Sequence, residues 1–378
     1  MAVHRWLLCD AKQRHYAEPQ RISSAAVSTS SSMWSIETQT LRGGRQDGVD
    51  VIEVDNGAMR FVVVPTRGMN VWKCWLGSRE LSWPSPVEGP VHPQFVPLEE
   101  ASGAGWLEGF DELLTRCGLH SNGPSEFAAD GRLTNPLHGR IANSPAHWVE
   151  ASYDEESQEI AIEGIVCEQR FGAYSLQLTS RISTRLGETA LRVNDRVANR
   201  TSRPADCQLL YHINFGSPLL DEGSQFIAPA ARLTPRDEIS AAGLNDWDRY
   251  SARDETVAEE VYFLELAADA QGNTQALLKN GAGQLGVSVR FNVRQLPYFT
   301  LWKDRLGAEK FRVTGLEPGT NYPNQRTLES RAGRVVSLGA AEEKEFEVMI
   351  QFHAEATAVK QACDEIAFLQ SSLPPRVV

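Results

Sequence analysis

Two side chains in this sequence have the chemistry of an acid–base pair. His212 lies in Leu209-Leu210-Tyr211-His212-Ile213-Asn214-Phe215-Gly216, near the end of an apolar strand pattern. An imidazole with an ordinary pKa of about 6.5 can give or take a proton near neutrality. Glu317 lies in Val313-Thr314-Gly315-Leu316-Glu317-Pro318-Gly319-Thr320, after apolar residues and before a Pro-Gly turn. A carboxylate partly desolvated there has its pKa raised towards that of a general base. Each also has an ordinary use, as a hydrogen-bonded core histidine or a strand-end glutamate facing water.

Other segments supply binding chemistry. His138 sits in Leu137-His138-Gly139-Arg140, where a glycine lets the backbone approach a ligand closely. His120 follows Cys117-Gly118-Leu119. Arg67 lies at a sharp turn, Pro65-Thr66-Arg67-Gly68, and its planar fork of donors suits several hydroxyls at once. Lys303 ends the aromatic strand Tyr298-Phe299-Thr300-Leu301-Trp302-Lys303, close in sequence to Glu317. Trp72, Trp75, Trp83, Trp106 and Trp302 all lie near these segments. Aromatic faces can stack on the C–H faces of sugars, although core packing is their commoner role.

The elements that must position these groups are mostly strands. Val49–Val54 and Met59–Val64 flank the turn Asp55-Asn56-Gly57 and read as a hairpin, and Val71–Leu76 is a further strand. Period-2 alternation recurs over Tyr174–Ile182, Leu191–Val197, Leu285–Val293 and Phe346–Phe352, as expected of half-buried antiparallel sheet. Residues 77–136 are rich in Pro and Gly yet carry Trp83, Phe95, Trp106 and Phe110, which predicts an ordered loop covering something. Val359, Ala362, Ile366 and Leu369 form one helical stripe. Residues 1–35, with a serine-rich patch at Ser23–Ser32, read as an N-terminal appendage, and 36–378 as a single domain. Many strands with almost no helices between them exclude a parallel α/β enzyme and predict an all-β fold, a large antiparallel sandwich.

Composition narrows the function. The 378 residues carry 37 Lys and Arg against 49 Asp and Glu, a formal charge of -12. Such a surface repels phosphate backbones, so a nucleic-acid partner is not expected. No apolar run approaches membrane-spanning length, and no secretory leader is visible, so no membrane partner is expected and the protein reads as cytoplasmic. The six cysteines are scattered, with no CxxC pair and no metal spacing, which suits reduced thiols. P-loop, GxSxG and HExxH motifs are absent.

The ordered set says more than any member. An Arg after an early strand, a His-Gly pair, a strand-borne His-x-Asn-Phe and a late Glu-Pro turn resemble the aldose 1-epimerase (galactose mutarotase-like) superfamily, in its less characterised aldose-epimerase-like branch of the DUF4432 type. The resemblance spans roughly residues 40–353 and implies the galactose-mutarotase-like β-supersandwich. Leu137-His138-Gly139 is similar to the family's Leu-His-Gly segment, whose His holds the sugar near its ring oxygen; Arg140 stands where a second Gly is usual. Tyr211-His212-Ile213-Asn214-Phe215 is similar to the strand bearing the catalytic acid, with Tyr211 in place of a leading Asn. Leu316-Glu317-Pro318 is similar to the segment bearing the base.

The resemblance therefore implies His212 and Glu317 as catalytic residues. It implies substrate contacts by Arg67 and His138, and an Asp for sugar hydroxyls among Asp221, Asp237 and Asp246; Arg140, Asn214, Trp302 and Lys303 beside these segments are further candidate substrate contacts, as are His120 and Asn122, which match no motif of the classical enzymes and would be specific to this branch. The implied reaction interconverts α and β anomers of a monosaccharide or sugar derivative, by taking a proton from the C1 hydroxyl and giving one to the ring oxygen. It needs no cofactor and no metal. Two alternatives stay open: a non-catalytic carbohydrate-binding protein, and an epimerase or lyase acting elsewhere on an acidic sugar, for which Arg67, Arg140 and Lys303 would provide cations. A homodimer is an allowed assembly.

Overall fold

A computed structural model describes residues 2–27, 33–251, 259–304, 312–371 and 376–377. The alternating segments pair into two large sheets of 10 and 14 strands, whose long ladders are antiparallel. The smaller sheet takes Tyr174–Arg185, Ala190–Asn199, Gly286–Asn292 and Glu343–His353, the segments with the clearest period-2 patterns. Their apolar faces meet the larger sheet in one continuous core, where Phe352 packs edge-on against Phe215 at 6.4 Å.

Five adjacent strands of the larger sheet matter for function. They are β1 (Leu114–Leu119), β2 (Ala205–Phe215), β3 (Glu259–Leu266), β4 (Tyr298–Asp304) and β5 (Thr314–Gly319). They lie side by side in the order β3-β4-β5-β2-β1. Because side chains alternate along a strand, Tyr211, Ile213 and Phe215 enter the core while Leu210, His212 and Asn214 take the other face. A fully buried ion pair locks this choice. Arg116 of β1 donates to both carboxylate oxygens of Asp195 in the smaller sheet, at 2.5 and 3.0 Å, and the Tyr211 hydroxyl donates to the same carboxylate at 3.0 Å. Removing one partner of such a pair costs about 3–5 kcal/mol, so turning either strand over is strongly disfavoured.

Three expectations need correction. The N-terminal segment is no appendage: Val3–Asp10 pairs with Trp148–Asp154 in the smaller sheet, and Arg21–Ser23 pairs with Ser35–Thr40 in the larger. Aromatic contacts hold it there, with Trp6 6.4 Å from Trp34, which packs on Tyr153 at 4.6 Å. Most of its serine patch, residues 28–32, lies outside the described residues. The irregular stretch 77–136 contains β1, whose residues are all buried and so show no alternation. The glycine of the His138-Gly139 pair brings its backbone close to Ser121 and Gly118, where an added Cβ would lie 2.1 Å from the Ser121 carbonyl, rather than to a ligand. The C-terminal helix, Ala356–Gln370, buries Val359, Ala362 and Ile366 as its stripe predicts. No described helix is long and apolar enough to cross a membrane.

Candidate active site

Register across the sheet brings His212 and Glu317 together. Thr300 of β4 is directly opposite Glu317 of β5. The pairings Leu210 with Gly319 and Ile213 with Leu316 set His212 of β2 opposite Glu317 on its other side. Thr115 of β1 is opposite His212. One lateral row, Thr300–Glu317–His212–Thr115, thus lies on the face turned away from the core. His212 Nε2 is 3.2 Å from Glu317 Oε1, but the angle makes no hydrogen bond and Oε1 is left without a hydrogen-bond partner. Gly315 makes this approach possible. A Cβ there would lie 2.4 Å from Glu317 Oε1 and 3.1 Å from His212 Cε1.

Hydrogen bonds set the histidine tautomers. The Asn214 amide donates to the Glu112 carbonyl at 2.9 Å and to the His212 carbonyl at 3.2 Å, which leaves its Oδ1 as an acceptor. That oxygen is 2.6 Å from His212 Nδ1, so Nδ1 carries the proton and Nε2, which faces Glu317, keeps its lone pair. His138 Nδ1 likewise donates to the Asn122 carbonyl at 3.0 Å. His138 holds a left-handed φ of 57°, which a non-glycine residue keeps only where its surroundings fix it.

Aromatic side chains wall the row. Around the His212 ring stand Phe110 at 5.2 Å, Trp302 at 5.4 Å, His138 at 5.5 Å and Trp106 at 6.1 Å between centroids. Trp106 and Phe110 come from the long loop and pack 4.8 Å apart, as the expected covering loop requires. His212 is 5% exposed and Glu317 2%. Burial pushes His212 down to about 3, helped by the neighbouring His138 and opposed by the Asn214 hydrogen bond. Burial also pushes His138 down to about 4. It holds the Glu317 carboxyl well above the usual carboxylate range, with the Glu259 charge adding to the effect. Burial thus disfavours charge on both members of the pair and favours a proton on Glu317 over one on His212 Nε2.

Several expected contacts lie elsewhere. Arg67 is 1% exposed and bound within the scaffold, donating to Glu112 at 2.5 Å, the Val91 and Gly109 carbonyls at 2.9 Å each, and Asn143 at 2.8 Å. Lys303 points to the opposite face of β4 from Trp302, as the period of two demands. It meets Glu260 at 3.2 Å and the Asp246, Trp247 and Arg249 carbonyls. His120 and Arg140 line a separate cleft of about 570 Å³ with Glu168 and Tyr174. There His120 stacks on Tyr174 at 4.5 Å, and Arg140 pairs with Glu99 at 2.8 Å. Asn122 spends its amide on a reciprocal pair with Asn321, at 3.0 and 2.9 Å, and braces His138 through its carbonyl. Asn214 orients His212. Of the expected binding set, His138, Trp302 and Asn214 stand at the pair, Asn214 as the hydrogen-bond partner of His212.

Nor does any of the three Asp candidates reach the row through the bonds it makes. Asp221 holds Ser224 and the Gly281 amide, Asp237 caps a short helix at Ser240, and Asp246 belongs to the turn whose carbonyls bind Lys303. The carboxylate beside the site is Glu259, which accepts from Trp302 Nε1 at 2.8 Å and pairs with Arg236 at 2.8 Å. Gly315 and Thr300 were also missed. Both have a signal in the sequence: a glycine inside a strand marks close approach, and Thr300 is two residues from Trp302 on the same face.

Comparison with known proteins agrees with this architecture. The family described as Domain of unknown function (DUF4432) matches residues 46–352. A Klebsiella pneumoniae subsp. pneumoniae MGH 78578 protein, provisionally named an aldose 1-epimerase, has a crystal structure that superimposes with a TM-score of 0.95 at 32% identity, covering 100% of this chain and 98% of that one. A galactose mutarotase-like protein from Clostridium acetobutylicum aligns with a TM-score of 0.60 at 13% identity, over 86% of this chain and 100% of its own. Galactose 1-epimerase from Lactobacillus acidophilus NCFM aligns with a TM-score of 0.58 at 11% identity, over 85% and 99%. The last two share the fold. No curated protein matches the sequence.

Proposed function

This chain belongs to the DUF4432 family and has the galactose mutarotase-like fold, and from that premise we propose that it is an aldose 1-epimerase acting on a monosaccharide or sugar derivative. The observation that carries the proposal is the 3.2 Å approach of His212 Nε2 to Glu317 Oε1 at the foot of an aromatic-walled site. Anomer exchange needs one group to take a proton as another gives one, and this pair shares one transferable proton between His212 Nε2 and Glu317. With the proton on His212, Glu317 takes the C1 hydroxyl proton while His212 protonates the ring oxygen. The C1–O5 bond breaks and the open-chain aldehyde forms. The protein is then left with a neutral imidazole and a protonated carboxyl, the distribution that burial favours. Rotation about C1–C2 presents the other face of the aldehyde. Closure runs both transfers backwards and gives the other anomer. Trp106, Phe110 and Trp302 offer faces for the sugar's C–H surface.

A non-catalytic carbohydrate-binding role is the second reading. The roof of Trp106 and Phe110, which leaves His212 only 5% exposed, favours it. Arg67 and Lys303, two of the cations behind the acidic-sugar alternative, are bound within the scaffold, and Arg140 lines the separate cleft. Polarimetry of freshly dissolved α-aldoses tests the proposal. Wild type is expected to speed the approach to equilibrium for at least one sugar, and Glu317→Gln and His212→Asn to lose that effect. Binding of an aldose with no acceleration of any would overturn the catalytic reading in favour of the second.

A further inference from the structure

Building on the epimerase reading, we infer that the Thr300 hydroxyl recognises the C2 hydroxyl of the sugar and makes the site select 2-oxygenated aldoses over their 2-deoxy analogues. Thr300 is 1% exposed, and its Oγ1 has no hydrogen-bond partner. Leaving a buried hydroxyl unmet costs about 1–3 kcal/mol. The fold satisfies the other buried threonines: Thr66, Thr115, Thr184, Thr274, Thr314 and Thr320 each make a hydrogen bond. Thr300 faces the candidate site, directly opposite Glu317 and sharing its face of the sheet, and unlike Thr115 at the other end of the row it has no hydrogen bond.

The order of the row matches the order of atoms in an aldopyranose. C1 carries both O1 and the ring oxygen O5 and is bonded to C2, so O2 and O5 lie on opposite sides of C1. Glu317 acts at O1 and His212 at O5. O2 must then point away from His212, across β5 towards β4, where the unmet Thr300 hydroxyl stands. A sugar lying the other way would present O2 to Thr115, whose hydroxyl is already bonded to the Asn70 amide at 3.0 Å. Lateral spacing between strands is about 4.8 Å, which a single sugar ring and its hydroxyls can bridge.

The test compares D-glucose with 2-deoxy-D-glucose and D-galactose with 2-deoxy-D-galactose, in wild type, Thr300→Val and Thr300→Ser. Wild type should prefer the 2-hydroxy sugar by about 10- to 100-fold in kcat/KM, since a site that pairs a hydroxyl discriminates against its absence. Thr300→Val should lose that preference by slowing only on the 2-hydroxy sugar, and Thr300→Ser should retain it. Valine fills the same space without an unmet hydroxyl, so the Tm of Thr300→Val should equal or exceed that of wild type. A valine variant that keeps the C2 preference, or whose Tm falls by several degrees, would overturn the inference. A wild type that accelerates neither these four sugars nor any aldose of a neutral, acidic and phosphorylated panel would overturn the epimerase reading instead. C2 recognition is then judged from the dissociation constants of the same sugars by calorimetry: levelling in Thr300→Val supports it, and unchanged preference or no binding overturns it.

Discussion

Gly315→Ala isolates the geometry of the acid–base pair from the rest of the fold. The added Cβ would stand 2.4 Å from Glu317 Oε1 and 3.1 Å from His212 Cε1. Ordinary van der Waals contact needs about 3.5 Å, so the carboxylate must retreat by about 1 Å and the imidazole by a few tenths. The carboxylate is the free end of a flexible side chain, and the strand backbone can stay in place. The overpacking cost is then about 1–3 kcal/mol. A 1 Å misplacement of a reacting group costs about 100-fold in rate. The expected outcome is a Tm within a few degrees of wild type and a loss of about 100-fold in enzymatic anomer exchange, read by selective-inversion NMR on the aldose that wild type accelerates most. Gly319→Ala is the control. It lies on the same strand, and its Cβ would meet the Asn321 and Leu209 carbonyls at 3.0 and 3.3 Å, away from the pair. Gly315→Ala exchanging anomers at the wild-type rate would refute the idea that the carboxylate works from where it stands.

Further outcomes follow from burial and pairing. Arg67→Ala leaves Glu112 buried without its cation and should cost about 3–5 kcal/mol in urea unfolding, while KM in the folded fraction stays unchanged; a selective rise in KM without destabilisation would return Arg67 to the substrate. The pH profile of kcat/KM should stay level as pH falls through 6.5, because His212 remains neutral until about 3, and an inflection near 6.5 would contradict the buried pair. His353, bonded to Ser288 at 2.8 Å, has its pKa lowered to about 4 by burial, with Arg290 contributing. A folded pKa below the unfolded value gives stability that is present above pH 6.5 and lost as pH falls through 4. The stability advantage of wild type over His353→Gln should therefore shrink from pH 7 to pH 4. As a difference between two proteins, it leaves out Asp111, Glu168 and Glu317, whose raised values act with the opposite sign. An advantage constant with pH would show that His353 titrates alike in both states.

The smaller sheet was legible because Tyr174–Arg185, Ala190–Asn199 and most of Glu343–His353 have one face in the core and one more open to water. Alternation at Tyr174–Ile182 or Phe346–Phe352 is a direct image of that environment. β1 was hidden for the converse reason: with both faces covered, Leu114–Leu119 offers no polar–apolar rhythm. The segments that bring His212 and Glu317 together could be picked from the sequence, as could His138 and Trp302 beside them, yet the positions of Arg67 and Lys303 could not. Arg67 and Lys303 sit beside site residues in sequence, but a strand turns neighbours to opposite faces and a buried Arg is held by whichever carboxylate reaches it. Thr300 carries no unusual motif. Its interest lies in a missing hydrogen bond, which only three-dimensional placement reveals.

The central claim is that His212 and Glu317 exchange protons with the anomeric centre of an aldose. Two-dimensional NMR exchange spectroscopy tests it most directly, by following α and β anomeric signals at equilibrium across neutral, acidic and phosphorylated aldoses. Cross-peaks that build up faster with wild type on at least one sugar, and fall to the uncatalysed rate in both Glu317→Gln and His212→Asn, are the predicted result. Acceleration that persists in both variants would contradict the claim.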